Sequence, residues 1–315
     1  MRKHRIYGIV MLFLGLAIVS SCSNNRKSEK SVAENKEATA VKDDILTGEM
    51  SVIVDEAIYP IMLEQVDVFK ESYVNSNINL IPLPEREAIN ALLRGEASLA
   101  VLARKLTKEE SVGFQHRSIT PKVYPVFYDG VVFVNNIAEA DTSMDIKTLS
   151  SLLTGESKAK TLVFDNANSS SLRRVKELTN IEKVSGVSVI GLKNSQEVFD
   201  YLLKNTNAIG AVSYGQYLDY RRKFGEENKI RILSVQNDNN DGKGGYFKPS
   251  QSTFATNEYP LKSTFFVLNY QPNLGLGIGF SAFLTGDRGQ RIVLKSGLLP
   301  ATMPGREIII RDNIN

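Results

Sequence analysis

The stretch SVIVDEAIYPIMLEQVDVFKESYVNSNINLIPLPEREAINALLRGEASLAVL, residues 51–102, decides the fold class. Three short β-branched or apolar runs in it predict buried strands, and two segments with apolar residues at helical spacing predict helices between them. The strands are 51–54, 78–81 and 99–102, and the helices lie around 62–73 and 88–93. Strands that alternate with helices predict a parallel sheet with right-handed crossovers, and therefore an α/β fold.

A second α/β unit follows, after two apolar runs at 123–127 and 131–134 that Asp129-Gly130 separates. Helices are predicted at 146–153, 170–178, 198–203, 280–284 and 290–295, and strands at 161–164, 187–190, 209–212, 231–235 and 265–268. A final strand and helices that return to the first unit predict two discontinuous lobes. We expect lobe 1 at 49–134 plus 250–315 and lobe 2 at 135–249. The carboxyl ends of their parallel strands would face a ligand cleft.

The N-terminus predicts export. Arg2-Lys3-His4-Arg5 precedes an apolar run too short to span a membrane, so residues 1–22 are expected to be a signal peptide. The run ends in Val19-Ser20-Ser21-Cys22, which resembles a lipobox, and two acyl chains (palmitate or similar) on Cys22 would anchor the protein to a membrane. The alternatives are an ordinary secretory signal with an incidental cysteine, or an uncleaved anchor. Residues 23–48 are polar and predict a flexible tether.

Composition excludes several function classes. Of the 38 Lys and Arg residues, three lie in the predicted signal peptide, which leaves a mature body with as many basic as acidic residues. Such a body argues against nucleic acid as a partner. Cys22 is the only cysteine, and His116 is the only histidine after the signal peptide, so we expect no disulfide, metal site or cofactor. No general base is evident, and we expect no enzyme.

Several segments are similar to those of the phosphate-binding proteins of ABC transporters. They are DEAIYP at 55–60, FDNANSSS at 164–171, AIGAV at 208–212, GFSAFLTGDRGQ at 279–290 and GLLP at 297–300. The resemblance covers about residues 49–310. It implies a two-lobed periplasmic-binding-protein fold (type II) with two crossover strands, a monomer on the periplasmic side of the envelope. It also implies that the lobes close on an oxyanion and deliver it to a permease.

An oxyanion is best held by backbone N–H groups at helix starts, with hydroxyls and an Arg beside them. Two helix starts are candidates, and the resemblance favours both as ligand-binding. Their residues are Ala57, Ile58 and Tyr59 in the first, and Asn168, Ser169, Ser170 and Ser171 in the second. The alternative for the serines is that they only cap a helix.

Three positions depart from the family pattern. Asp165 stands where the family usually has an Arg, and a carboxylate there would repel an anion. Asn168 and Ser170 replace loop glycines, and Ala103-Arg104 replaces a Ser-Asp pair. We expect Arg104 to be the main ligand-facing cation, with a surface Arg as the equal alternative.

The leading hypothesis is therefore a lipid-anchored binding protein for phosphate that serves an ABC importer or a sensor. The same fold with another small anion, a surface lipoprotein without a ligand, and a hydrolase are the alternatives. The polar loop at 237–250 contains acids that a calcium site would need, but they lack the spacing of a calcium-binding loop. We therefore expect a flexible turn there.

Overall fold

The computed structural model describes residues 44–238 and 244–305. The signal peptide, Cys22 and most of the tether lie outside the described residues. The strands are β1 Gly48–Asp55, β2 Ser76–Leu83, β3 Leu99–Leu102, β4 Lys122–Asn136, β5 Ser143–Met144, β6 Thr161–Phe164, β7 Val189–Gly191, β8 Ala208–Ser213, β9 Ile230–Ile232, β10 Ser234–Asn237, β11 Gly245–Phe247, β12 Lys262–Asn269 and β13 Leu299–Pro300. The helices are α1 Tyr59–Ser72, α2 Glu85–Arg94, α3 Lys108–His116, α4 Ile146–Thr154, α5 Ser170–Thr179, α6 Ser195–Lys204, α7 Tyr214–Phe224, α8 Gln251–Ala255, α9 Leu276–Thr285 and α10 Asp287–Ser296.

The first α/β unit has the predicted parallel sheet. β1 lies between β2 and β3 and is parallel to both. Val52 and Val54 pack into one hydrophobic cluster and Ile53 into another, because successive side chains of a strand point to opposite faces. Gly95 ends α2 in the left-handed conformation, with a φ of 79°, which glycine adopts without a steric penalty. β12 then pairs antiparallel with β3, so the end of the chain returns to this unit as predicted.

β4 is a single long strand that takes part in both halves of the sheet. Its residues from Lys122 to Gly130 pair with β12, and those from Val131 to Val134 pair with β8. The apparent break at Asp129-Gly130 is therefore no break, since both residues pair with β12. A Cβ at Gly130 would lie 2.9 Å from the ring of Phe254, so only glycine fits this crossing point.

The second α/β unit repeats the design. β6 is parallel to both β8 and β7. Phe133 packs into a cluster on one face of this sheet and Val132 and Val134 into a cluster on the other. We call lobe 1 the part built on β1, β2, β3, β12 and residues 122–130 of β4. Lobe 2 is the part built on residues 131–136 of β4 with β6 to β9.

The second connection between the lobes runs from β11 to β12. It contains α8, whose Phe254 packs with Tyr259 and Leu261 in the lobe 2 core. β11 pairs with β10, and β10 with β5, in a separate three-stranded sheet. The domain boundaries expected at residues 134 and 250 lie within these connecting segments and stay a prediction. Residues 239–243 of the polar loop lie outside the described residues.

The sequence pattern missed three helices, α3, α7 and the short α8, and the first two begin with a capping box. In α3 the amide of Glu110 donates to Thr107 Oγ1 (3.2 Å), and the amide of Thr107 donates to Glu110 Oε2 (2.8 Å). Ser213 and Gln216 form the equivalent pair at α7. This spacing was a usable signal for a helix start. Within the part of the chain that the structure describes, no helix combines the length and apolarity needed to cross a membrane.

Candidate functional site

The first predicted helix start lies at the carboxyl end of β1. Ala57 and Ile58 are buried in a 3-10 turn at Glu56–Ile58, and Tyr59 begins α1. Asp55 caps the turn, because its Oδ1 accepts a hydrogen bond from the amide of Ala57 (3.0 Å). The hydroxyl of Ser213, from lobe 2, donates to the carbonyl of Ala57 (2.7 Å). This segment therefore lies at the junction of the two lobes.

The second predicted helix start lies at the carboxyl end of β6. Ser169 is the N-cap of α5, and its Oγ accepts from the amide of Leu172 (3.2 Å). Ser170 and Ser171 are buried in the first turn. The hydroxyl of Ser171 donates to Asp165 Oδ2 (3.3 Å). The serines thus cap the helix and also bind a carboxylate of their own chain.

The two helix starts meet. The hydroxyl of Ser170 lies near enough to Asp55 to lower the pKa of that carboxyl in part. The amide of Arg86, in α2, donates to the carbonyl of Asn168 (3.3 Å), and Asn168 Nδ2 donates to Glu87 Oε1 (2.7 Å). The structure therefore places Ser170 beside Asp55, the residue that caps the turn containing Ala57 and Ile58.

Arg104 lies beside this site with its charge already paired. Its guanidinium donates to both carboxylate oxygens of Glu110 (2.8 Å each), and its Nε lies 3.7 Å from Glu85 Oε1. The guanidinium of Arg173, in α5, donates to both carboxylate oxygens of Glu85, at 2.5 and 2.8 Å. Glu85 is buried, and its bond to Arg173 joins lobe 1 to lobe 2. The role of Arg104 as a ligand-facing cation stays a prediction.

Carboxyl groups dominate the same place, and we call Asp55, Glu56, Glu85, Glu87 and Asp165 the carboxylate cluster. Burial, followed by the charge of Glu85, raises the pKa of Asp55 to about 7. Burial, followed by the charges of Asp165, Asp55 and Glu87, raises the pKa of Glu56 to about 8. Burial also raises the pKa of Asp165 to about 6, although hydrogen bonds from Ser169, Asn166 and Ser171 oppose it. Asp55, Glu56 and Asp165 therefore titrate near neutral pH.

Three oxygens of the cluster are buried without a hydrogen-bond partner among the described residues. They are Asp55 Oδ2, Glu56 Oε1 and Glu87 Oε2. A buried acceptor without a partner costs free energy unless a proton or a donor satisfies it. The site therefore favours protonated carboxyls or a ligand that donates hydrogen bonds.

Asp129 is a further buried acid that sequence reasoning did not single out. It lies on β4 at the crossing point and accepts from the amides of Gly130 (2.6 Å) and Gly215 (3.3 Å). Burial raises the pKa of Asp129 to about 7 despite these bonds. Its position at the end of an apolar run, just before a glycine, was the only signal for it in the sequence.

The described residues contain no group of three or more His, Cys, Asp or Glu arranged to hold a metal ion. The site offers two helix starts, hydroxyls and three acids with raised pKa values. These groups lie where the two lobes meet.

Two α/β lobes joined by crossing segments, with helix starts that meet at the lobe junction, define the two-lobed periplasmic-binding-protein fold. The model of the PBP superfamily domain matches residues 33–288, and the chain belongs to this superfamily. No curated protein matches the sequence.

Among solved structures, the chain is similar to a protein described as a phosphate ABC transporter substrate-binding protein from Clostridium perfringens, solved with phosphate bound. The identity is 17%, the match covers 81% of this chain and 100% of that one, and the TM-score is 0.67. An ABC-type phosphate transport receptor from Vibrio cholerae is also 17% identical, with coverages of 79% and 99% and a TM-score of 0.61. The regulatory domain of CcmR from Synechocystis, in complex with 2-PG, is 12% identical, with coverages of 76% and 96% and a TM-score of 0.51. These likenesses show the shared fold.

Proposed function

We propose that this chain is an extracytoplasmic solute-binding lipoprotein that holds a small solute between its lobes and delivers it to an ABC importer or a sensor. One observation carries the proposal: hydrogen bonds between the lobes concentrate at the predicted ligand site. They join Ser213 to Ala57, Asn168 to Glu87 and Arg173 to Glu85. A ligand that rearranges these groups would change how the lobes close.

Phosphate is the first candidate for the solute. Its support comes from the two helix starts and from the phosphate-binding neighbours that share the fold. The carboxylate cluster opposes a fully ionised oxyanion, because Asp165 and Asp55 already occupy donors of these helix starts. An oxyanion becomes favourable when Asp55, Glu56 and Asp165 are protonated, since neutral carboxyls donate hydrogen bonds and do not repel it.

We therefore expect oxyanion binding to strengthen as the pH falls from 8 to 5.5. The pKa values of about 6, 7 and 8 for Asp165, Asp55 and Glu56 place the change in this window. One charge fewer in the cluster should tighten binding about tenfold, which equals about 1.4 kcal/mol. Isothermal titration of residues 23–315 with phosphate and with sulfate, at both pH values, measures it. Sulfate does not titrate in this range, so its change in affinity reports on the protein alone.

The Asp165→Asn variant tests whether carboxylate charge causes this pH dependence of oxyanion binding. It removes one charge, keeps the shape, and should strengthen sulfate binding at pH 8 more than at pH 5.5. The exposed Asp67 supplies the control, as Asp67→Asn should leave both affinities unchanged. Oxyanion affinity that is equal at the two pH values, or higher at pH 8, would count against this ligand class.

A cationic solute is the second candidate, and the unpartnered oxygens of Asp55, Glu56 and Glu87 favour it. An ammonium group would satisfy such acceptors. The direction of the pH dependence distinguishes a cationic solute from an oxyanion. A small diamine such as putrescine should bind more tightly at pH 8, whereas an oxyanion should bind more tightly at pH 5.5. A protein that binds neither probe at either pH would fit a surface lipoprotein without a ligand.

The anchor forms a separate part of the proposal. The basic N-terminus, the short apolar run and Cys22 support cleavage before Cys22 and diacylation of its thiol. We expect the mature protein in the membrane fraction of the bacterium, with the mass of residues 22–315 plus the acyl chains. Cys22→Ser should release the protein from the membrane, and Ser23→Ala serves as the control. An intact, unmodified N-terminus in the mass spectrum excludes this anchor.

A further inference from the structure

A basic pocket lies in lobe 2, apart from the carboxylate cluster. It is a concavity of about 400 Å³ lined by side chains from four parts of the chain, one of which contributes only Thr142. Tyr214, Tyr217 and Arg221 come from α7, Arg231 from β9, and Lys248 from the segment before α8. No Asp or Glu lines it among the described residues. Among the described residues, the lining of the concavity therefore holds three positive charges and no negative one.

The cations of the basic pocket are not neutralised by contact. Arg221 and Lys248 are exposed, and neither makes a side-chain hydrogen bond or an ion pair with the residues that the structure describes. The guanidinium of Arg231 donates to Asn135 Oδ1 (3.2 Å) and to the carbonyl of Glu139, which are both uncharged acceptors. The positive charge of all three residues is thus available to a ligand.

Neighbouring acids are engaged elsewhere. Glu139 and Asp141 both pair with Lys160, the latter at 2.7 Å. Asp219, on α7, pairs with Arg222 (3.5 Å), whose guanidinium also contacts Glu64. These ion pairs direct the acids toward cations that do not line the pocket. A concave site lined by one sign of charge concentrates the opposite ion.

The walls of the pocket add a carbon-binding surface. Tyr217 is buried, and its hydroxyl donates outside the pocket to the carbonyl of Ile230 (3.4 Å), so its ring is held in place. The ring of Tyr214 packs edge-on against Phe254, with centroids 5.7 Å apart. Both rings are fixed, and fixed rings bind a carbon skeleton with little loss of side-chain entropy. The volume lies in the range of sites for small organic molecules.

We propose that the basic pocket is a second binding site, which takes a small organic polyanion: a compact carbon body that carries two or more carboxylate or phosphate groups. The guanidinium groups of Arg221 and Arg231 and the ammonium of Lys248 bind the charged groups, and the rings of Tyr214 and Tyr217 contact the carbon body. None of the residues that line this pocket belongs to the carboxylate cluster.

Titration with citrate tests the proposal. We expect saturable binding of citrate to residues 23–315 by calorimetry at low salt, with no binding of the uncharged triethyl citrate. Binding should weaken as salt screens the charges. Arg221→Gln and Lys248→Gln should each weaken citrate binding about tenfold or more, since a hydrogen bond to a charged group is lost in each.

Lys223→Gln is the matched control, because Lys223 is an exposed cation on the same helix that lines a different surface depression. It should leave citrate affinity unchanged. No detectable binding at millimolar citrate overturns the proposal. So does an equal loss in Lys223→Gln, which would indicate attraction by general surface charge. Citrate binding that persists in the Arg221→Gln, Lys248→Gln double variant also overturns it, since the citrate would then bind elsewhere. Circular dichroism of each variant confirms that it is folded.

Discussion

Raising the pH from 5 to 8 should lower the free energy of unfolding of this protein by several kcal/mol. The cause is three fully buried carboxyls, Asp55, Asp129 and Asp165, whose pKa values burial raises to about 7, 7 and 6. In the unfolded chain such carboxyls have pKa values near 4. Between these values the folded protein holds protons that the unfolded chain has released. The unfolded state therefore binds fewer protons, and stability falls as the pH rises through this window.

The size of the effect follows from the linkage relation. Each proton retained only by the folded state contributes about 1.4 kcal/mol for every pH unit. Asp55 and Asp165 interact with one another, so their contributions do not simply add. Urea unfolding of residues 23–315, followed by circular dichroism at pH 5, 6.5 and 8, measures the trend.

Asp129→Asn isolates one of the three carboxyls at a position outside the carboxylate cluster. The amide oxygen of Asn can still accept from the amides of Gly130 and Gly215, as Asp129 does. We expect this variant to lose less stability between pH 5 and 8 than the wild type. Asp67→Asn, at an exposed position of α1, should follow the wild-type curve. A stability that stays level or increases from pH 5 to 8 would contradict the role given to these carboxyls.

Phe69→Ala should destabilise the protein by about 3–5 kcal/mol, the range measured for buried Phe to Ala substitutions. Phe69 lies on α1 with 0% exposure. Its ring centroid is 4.8 Å from that of Tyr73 and 5.2 Å from those of both Phe280 and Phe283. The ring thus joins the first helix of lobe 1 to α9, which closes the lobe. Its removal leaves a cavity in addition to the loss of buried apolar surface.

Urea unfolding at constant pH gives the change in the free energy of unfolding for this variant. Val74→Ala is a matched control two residues after the end of α1, because Val74 is 79% exposed and its substitution should change stability by no more than about 0.5 kcal/mol. Phe69→Leu should have an intermediate effect. A loss below 1 kcal/mol for Phe69→Ala would show that the aromatic cluster does not hold α1 against α9.

The order of strands and helices was largely predictable from local pattern. The run 99–102 is β3 as predicted, and the helix pattern before Gly95 is α2. Prediction failed where local and tertiary signals differ. Asp129-Gly130 is typical of a turn, yet pairing with β12 continues β4 through it. The helices α3 and α7 have weaker apolar patterns, and their capping boxes were the better signal.

The candidate site was predictable in part. Each predicted segment follows a parallel strand, and the carboxyl ends of such strands face the lobe junction, where Ser170 lies beside Asp55. The acids around them were harder to predict. Asp165 was recognised as a departure, whereas Glu85 and Glu87 resemble any acids in the first turn of a helix, where they are common.

The sequence by itself determined the alternation of strands and helices, the two α/β units and the location of the two helix starts, because periodic burial and helix capping are local properties of the chain. Only the tertiary structure decided that Asp55, Glu56 and Asp165 lie close together with raised pKa values. It also decided that Arg104 pairs with Glu110 and Glu85, and that Arg173 pairs with Glu85. The physical reason is that desolvation and charge pairing depend on which side chains from distant parts of the chain come into contact, and no local pattern records those contacts.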